Sequence, residues 1–390
     1  MFQVLLLLLS LAMSSWSSYN SFLAIRGVTW KPVETRDFSG VRFSIIVPAK
    51  NEGKVLPRLL DRLVNMEYDR SKYDITVIQD SSTDDTEEQC RRYELKYDNV
   101  KCVTLPPSNK VNGKSRALNY ALMTTKGDIV GIFDADSVPK LDVLSIVAPK
   151  FYDPKVGAVQ GKLVPINVRE SLTARFASLE ELLYEYSIAG RARMGLFVPL
   201  EGTCSFIRKD VLSVVGGWNE ETLTEDLDLS LKLHSLGYKV LYSPSALTWR
   251  EVPVRFRVLW KQRIRWYRGH FEVSWKISRI NGKLLDGFII TLSPFFMIIS
   301  VVNYGLFLLY PFSLWYFLAT ALVSIATLMS FLISMSISRR HMIGSFLPFL
   351  SLVYINLIIL MNFYAVLLEL LRIKKEWVKT ERSPSTNLGI

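Results

Sequence analysis

The sequence predicts an α/β domain built on a mostly parallel sheet with helices on both faces, together with α-helical transmembrane segments. Three observations carry that prediction. Short β-branched apolar runs alternate with helix-period segments through the middle of the chain. Carboxylates stand at the ends of two of those runs, Asp80 and the pair Asp134/Asp136, where open α/β sheets collect ligands. The apolar residues, 49% of the chain with a mean hydropathy of +0.21, are concentrated towards the two ends.

Taken in order, residues 1–25 form an apolar N-terminal anchor. Phe2 to Ile25 lacks a basic leader and a clear small-x-small cleavage site, so it reads as a retained signal anchor. Arg26, Lys31 and Arg36 follow it, which by the positive-inside rule leaves the next domain in the cytoplasm. Residues 26–250 are that domain. Phe43–Val47 is its first strand, closed by Pro48, and Val55, Leu56, Leu59, Leu60 and Leu63 mark a helix. Asp74–Ile78 and Val100–Leu105 are strands two and three. After a Pro-Pro loop, Asn112–Asn119 opens another helix. Asp128–Phe133 is a buried central strand, followed by a helix over Leu141–Phe151 and a strand over Val156–Gln160.

The second half is less regular. Leu172–Ile188 reads as a helix and Thr203–Arg208 as a short strand. Leu227, Leu229, Leu231 and Leu233 alternate like a strand. Thr222-Leu223-Thr224-Glu225 has the pattern of a capping box, and Gly237 is a stop, so Asp226–Leu236 is assigned helix. Lys239–Tyr242 is the strand after it.

Residues 251–285 mix Arg and Lys with Phe256, Trp260, Trp266, Phe271 and Trp275, the composition of helices lying in a headgroup plane. Residues 286–371 hold three apolar segments, 288–311, 313–336 and 345–370, and about 20 such residues cross a bilayer. Three spans there would carry the basic tail, 372–390, to the outside against the charge rule, which marks the first, with Pro294, as re-entrant or interfacial. Asn303, Asn356 and Asn362 are assigned to holding helices together.

The formal charge of +11 fits an anionic membrane surface or a phosphorylated substrate; no nucleic-acid-binding motif accompanies it. Near absence of charge inside the spans speaks against a transporter subunit. The three cysteines, Cys90, Cys102 and Cys204, have spacings of neither a zinc site nor a disulfide framework, which fits a reducing compartment. The three histidines follow no ligand pattern. Asp134-Ala135-Asp136 offers hard oxygen donors, suited to Mg²⁺ or Mn²⁺ completed by substrate phosphates.

Four landmarks then occur in a fixed order: Asp80, Asp134-Ala135-Asp136, Thr224-Glu225-Asp226, and Gln262-Arg263-Ile264-Arg265-Trp266 ahead of apolar spans. On these the chain resembles the membrane-bound family 2 glycosyltransferases of GT-A, Rossmann-like fold, similar to cellulose, chitin and hyaluronan synthases. The resemblance covers about 43–270 and the flanking spans. It implies an inverting transfer of a sugar from a nucleotide-diphosphate sugar, UDP-linked, to a hydroxyl of a saccharide or lipid, with polysaccharide synthesis favoured over glycolipid synthesis.

The resemblance also implies roles. Asp226 would be the general base and Glu225 its orienting neighbour. Asp134 and Asp136 would hold Mn²⁺ or Mg²⁺ against the departing diphosphate. Asp80 would receive the base, and Pro48, Ala49, Asn51 and Glu52 would line the nucleoside pocket. Gln79-Asp80-Ser81 stands where the family usually has Asp-Asp-Gly, so the first acid is absent. Lys114, with Arg116 beside it, would contact phosphate or donor sugar, and Arg265 the diphosphate. Gln262, Trp266, Gly202, Thr203 and Cys204 would serve the acceptor. A multi-pass cell-membrane protein with a cytoplasmic catalytic domain, able to self-associate, is the expected setting.

Overall fold

The computed structural model describes residues 2–106, 113–277, 293–309, 314–344 and 346–375. The end of the Pro-Pro loop, Asn112, the start of the first expected C-terminal span and most of the basic tail lie outside the described residues. The chain opens with α1 (Phe2–Val28). Strand and helix then alternate through β1 (Phe43–Ala49), α2 (Leu56–Val64), β2 (Tyr73–Asp80), α3 (Thr86–Lys96), β3 (Val100–Leu105), α4 (Gly113–Leu122) and β4 (Ile129–Ile132). Next come β5 (Val138–Pro139), α5 (Val143–Val147), β6 (Val156–Pro165), α6 (Leu172–Arg193), β7 (Ser205–Arg208) and α7 (Lys209–Val215). They are followed by α8 (Glu225–Ser235), β8 (Lys239–Arg250), α9 (Phe256–Ile277), α10 (Ser293–Leu309), α11 (Leu314–Arg340) and α12 (Leu347–Leu370).

Packing divides the chain into two compact units. The described residues of 31–167 and 197–252 form a sheet unit, and those of 1–30, 168–196 and 253–374 a helical unit.

The sheet unit is one eight-stranded sheet in the order β3-β2-β1-β4-β7-β6-β8-β5. β3, β2, β1 and β4 run parallel, as do β6 and β8, while β7 and β5 run antiparallel to their neighbours. Phe43, Ile45, Val47, Ile75, Val77 and Ile129 fill its interior with Leu56, Leu59, Leu60 and Leu63 of α2. β1 continues through Pro48, where the sequence predicted its end. It pairs with β4 only as far as Ile46, so Pro48 falls where β1 has a neighbour on one side and no ladder bond is lost there.

The helix expected over Leu141–Phe151 is shorter: α5 ends at Val147 and a 3-10 turn runs Ala148–Tyr152. Pro149 has no N–H to extend the α-helical ladder. α8 forms as predicted, but without the capping box. Its N-cap is Thr224, which makes no side-chain cap bond, while Thr222 Oγ1 accepts from the Thr224 N–H at 3.4 Å. Leu227, Leu229, Leu231 and Leu233 are all buried together with Asp228 and Ser230, so α8 is enclosed on more than one face. That enclosure is the source of the strand-like alternation.

Cys90 of α3 and Cys102 of β3 are joined as a disulfide, with Cα atoms 5.8 Å apart, which corrects the expectation of no disulfide. α3 packs directly on β3 and brings the two residues face to face. Disulfides are uncommon in reducing compartments, so cysteine usage no longer points to the cytoplasm.

In the helical unit, α1, α11 and α12 are each long and apolar enough to cross a membrane. α10 has 17 described residues, about 25 Å of helix against a hydrocarbon core of about 30 Å. Asn303 of α10 and Ser10 of α1 exchange hydrogen bonds at 3.1 and 3.2 Å, and Ser17 and Ser21 both meet Ser330 of α11 at 3.1 Å. These polar contacts hold helices that have no hydrophobic drive to associate in lipid. α6 belongs to this unit and lies against the last turns of α1. A Cβ on Gly27 would stand 1.9 Å from the Tyr186 carbonyl oxygen, and one on Gly190 1.9 Å from that of Leu23, so only glycine permits the approach.

Candidate active site

Three strand ends build the site. The register sets Ala49 beside Gln79, and Ile46 beside Ile132, so the loops after β1, β2 and β4 leave the sheet as neighbours. Pro48 and Ala49 are the last residues of β1, and the loop beyond them is tied to the one after β2. The Asn51 N–H donates to Ser82 Oγ at 3.0 Å, Glu52 N–H to Thr86 Oγ1 at 2.7 Å, and Gly53 N–H to Asp84 Oδ2 at 3.1 Å. Asn51 Oδ1 accepts from the Thr83 N–H at 2.7 Å. Asn51 and Ser81 both take φ of +53°, so each loop turns sharply at its strand end. Gln79, where the resembled family carries an acid, accepts from the Ser82 N–H at 2.7 Å and donates to Glu87 at 3.2 Å. Its amide does both, which a carboxylate could not.

Asp80 closes β2, almost fully buried, and is paired to Lys50 at 3.5 Å and to Arg116 at 3.3 Å. Arg116 also donates to the Pro106 carbonyl at 2.8 Å. The first turn of α4 passes between Asp80 and the β4 end: a Cβ on Gly113 would lie 2.7 Å from Asp80 Oδ2.

The next residue, Lys114, reaches the other side. Its Nζ lies 2.6 Å from Asp134 Oδ1, 2.8 Å from the Gly202 carbonyl oxygen and 3.8 Å from Glu225 Oε1. Asp226 is on the same spot: a point one Cβ out from Gly202 is 3.0 Å from Asp226 Oδ2 and 3.1 Å from Lys114 Nζ. Burial alone would pull the lysine down, but the carboxylates of Asp134, Glu225 and Asp226 outweigh it and hold the group above its ordinary range. It is therefore an ammonium at neutral pH.

Asp134 keeps about a quarter of its side chain exposed, whereas Asp136 is 2% exposed. Arg58 of α2 donates to the Asp136 carbonyl at 3.0 Å and pairs with the buried Glu251 at 3.0 Å, which fixes the turn from below. Thr203 and Cys204, expected on the acceptor side, are fully buried. Thr203 Oγ1 accepts from the Asp134 N–H at 3.0 Å and shares a proton with Ser137 Oγ at 2.9 Å, so Thr203 braces the Asp-x-Asp turn.

Two hard carboxylates at a strand end fit a divalent cation. Among the described residues, no group of three or more His, Cys, Asp or Glu side chains could hold a metal. Phosphate and water oxygens would therefore complete the coordination, as suits Mg²⁺ or Mn²⁺.

Gln262, Arg265 and Trp266 lie on α9, in the helical unit. The residue between them, Arg263, is the one the sequence reading passed over. Its side chain is fully buried, bonded to both oxygens of Glu180 at 3.1 Å, to Glu181 at 3.2 Å and to Gln262 Oε1 at 2.7 Å. Its guanidinium carbon sits 4.3 Å from the Trp266 ring centroid. Tyr267 and Tyr354 donate to Glu180 at 3.2 and 2.8 Å. Burial disfavours the Arg263 charge, yet Glu180 and Glu181 more than offset it and raise its pKa. Glu180 and Glu181 carried no signal in sequence, since acids on a predicted helix read as a solvated face. Arg58 was equally silent.

Comparison with known proteins bears on family and fold. The family described as "Glycosyltransferase like family 2" matches residues 41–269. The chain is 32% identical over 364 residues to the probable glycosyltransferase YdaM of Bacillus subtilis, covering 87% of each. It is 37% identical over 232 residues to the beta-monoglucosyldiacylglycerol synthase of Nostoc sp., covering 59% of this chain and 49% of that protein, about half its length. In structure it is similar to the mannosyltransferase PcManGT from Pyrobaculum calidifontis, solved with GDP-Man and Mn²⁺, with a TM-score of 0.68 and 20% identity over 96% of this chain and all of that one. The mixed sheet is thus a GT-A fold, with its strand-end acids where such folds bind ligand. By the family match over residues 41–269 and the relative matched over 87% of both chains, the chain belongs to the family 2 glycosyltransferases.

Proposed function

We propose that the chain is an inverting, divalent-metal-dependent transferase that moves a hexosyl or N-acetylhexosaminyl group from a UDP-sugar to a lipid hydroxyl. The observation that carries the reading is the cluster of Asp134, Glu225 and Asp226 around Lys114 at the β4 end. Asp226 takes the proton of the acceptor hydroxyl as its oxygen attacks the anomeric carbon, and the bond from that carbon to the diphosphate breaks. Glu225 helps to position Asp226, its neighbour in sequence, through the Lys114 charge that attracts both carboxylates. Asp134 and Asp136 would hold Mn²⁺ or Mg²⁺, which supplies charge neutralisation for the leaving diphosphate. The cross-tied loops after β1 and β2, with Asp80, receive the nucleoside. The parts of Gln262, Arg265 and Trp266 rest on the family resemblance.

A lipid acceptor is favoured over a growing polysaccharide because the relative named as a beta-monoglucosyldiacylglycerol synthase, from Nostoc, shares 37% identity over 232 residues. Three membrane-length helices suit an enzyme that meets its acceptor in the bilayer, with the sheet unit on the cytoplasmic side. The test is a donor screen of labelled UDP-sugars with diacylglycerol, Mn²⁺ or Mg²⁺, and a chelator control. One sugar added to lipid supports the reading; a ladder of long products returns the chain to polysaccharide synthesis.

A further inference from the structure

The Lys114 ammonium sits against oxygen atoms that could also face a metal ion. It is ringed by the Asp134 carboxylate at 2.6 Å, the Gly202 carbonyl at 2.8 Å and the Glu225 carboxylate at 3.8 Å, with Asp226 alongside. Gly202 takes φ of +74°, a conformation that favours glycine. Asp134, Glu225 and Asp226 repel one another, and the ammonium is a charge that offsets that repulsion. The same contact would make Lys114 a rival of a divalent cation on Asp134, because the ammonium already grips an oxygen of that carboxylate.

We propose that Lys114 is a built-in counter-ion that competes with the divalent metal for Asp134, and that the donor diphosphate relieves the competition by drawing the ammonium onto its own oxygens. Metal then binds weakly to the nucleotide-free protein and tightly once the nucleotide is present. The reason is electrostatic: an ammonium and a divalent ion a few ångströms apart repel strongly in a partly buried site, and an anion between them turns the repulsion into two attractions. Between turnovers the lysine keeps the carboxylates assembled. This inference rests on the reading that Asp134 and Asp136 are the metal ligands.

The experiment is a Mn²⁺ titration of the full chain in detergent micelles, following the spectroscopic signal of free Mn²⁺, first without nucleotide and then with saturating UDP. The wild-type protein binds Mn²⁺ at least tenfold more tightly with UDP. Lys114→Met and Lys114→Gln bind Mn²⁺ alone at least tenfold more tightly than wild type, and their gain from UDP shrinks. Lys114→Arg, which keeps the charge, stays as weak as wild type. If Lys114 only props the site, both neutral variants bind Mn²⁺ alone no better than wild type, and the inference is overturned. Tight binding of Mn²⁺ by the nucleotide-free wild type overturns it without any variant. Unchanged Mn²⁺ binding with UDP in Asp134→Asn and Asp136→Asn would instead defeat the metal-ligand reading beneath it.

Discussion

Among the described residues, a cation ringed by acids stands in each unit, and the two differ in how far they are enclosed. Arg263 in the helical unit is fully buried, its Nε–H shared between the two Glu180 oxygens, held by Glu181 and Gln262, and covered by Trp266. Two tyrosine hydroxyls complete the shell on Glu180. Lys114 in the sheet unit faces Asp134, Glu225 and Asp226 with a single charge, and Asp134 remains open to solvent. A fully enclosed cluster fixes helices. One whose Asp134 stays partly open to solvent can take in another cation. The contrast separates structural charge from chemical charge.

The largest way to break the comparison is Asp226→Asn. Loss of a general base costs about 10²–10⁴ in rate, so sugar transfer should fall by about three orders of magnitude while UDP affinity and thermal unfolding stay near wild type. Transfer at the wild-type rate would move Asp226 to the structural class. Metal removal comes next: chelation should abolish turnover reversibly, with Mn²⁺ restoring it, and Asp134→Asn should resist that rescue, as read by UDP release. Arg263→Met tests the other cluster. It leaves Glu180 and Glu181 without their buried partner, so stability should drop by about 3 kcal/mol in detergent unfolding. Adding Glu180→Gln should recover part of that loss, because the orphaned charge is removed. The smallest effect belongs to Thr224→Val. Helix N-cap substitutions usually cost about 1 kcal/mol, but Thr224 Oγ1 is buried and makes no bond, so the change should stay within about 0.5 kcal/mol of zero.

Much of the sheet was legible because its strands are buried on both faces and read as unbroken β-branched runs, Phe43–Val47 and Asp128–Phe133 among them. The strand-end acids were legible for the same reason: once a strand is placed, its carboxyl end is placed. Pairings were not. Lys114 and Asp134 stand 20 residues apart and Arg263 and Glu180 stand 83 apart, distances over which no local pattern speaks. The bracing of the Asp-x-Asp turn by Thr203 was not legible, since a sequence does not show which backbone N–H a hydroxyl will meet. The Cys90–Cys102 bond needed α3 to lie on β3 before it made sense. The grouping of α6 with the helices of the helical unit depends on Gly27 and Gly190 meeting across two helices, a contact that glycine spacing in one helix does not reveal.

The central claim is that sugar transfer happens at the Lys114 cluster. A structure of the protein with UDP and Mn²⁺ bound tests it most directly. The account predicts the ion on Asp134 and Asp136, the diphosphate against Lys114, and Asp226 open towards the acceptor side. A nucleotide seated elsewhere, with the Lys114–Asp134 pair unbroken at 2.6 Å, would contradict it.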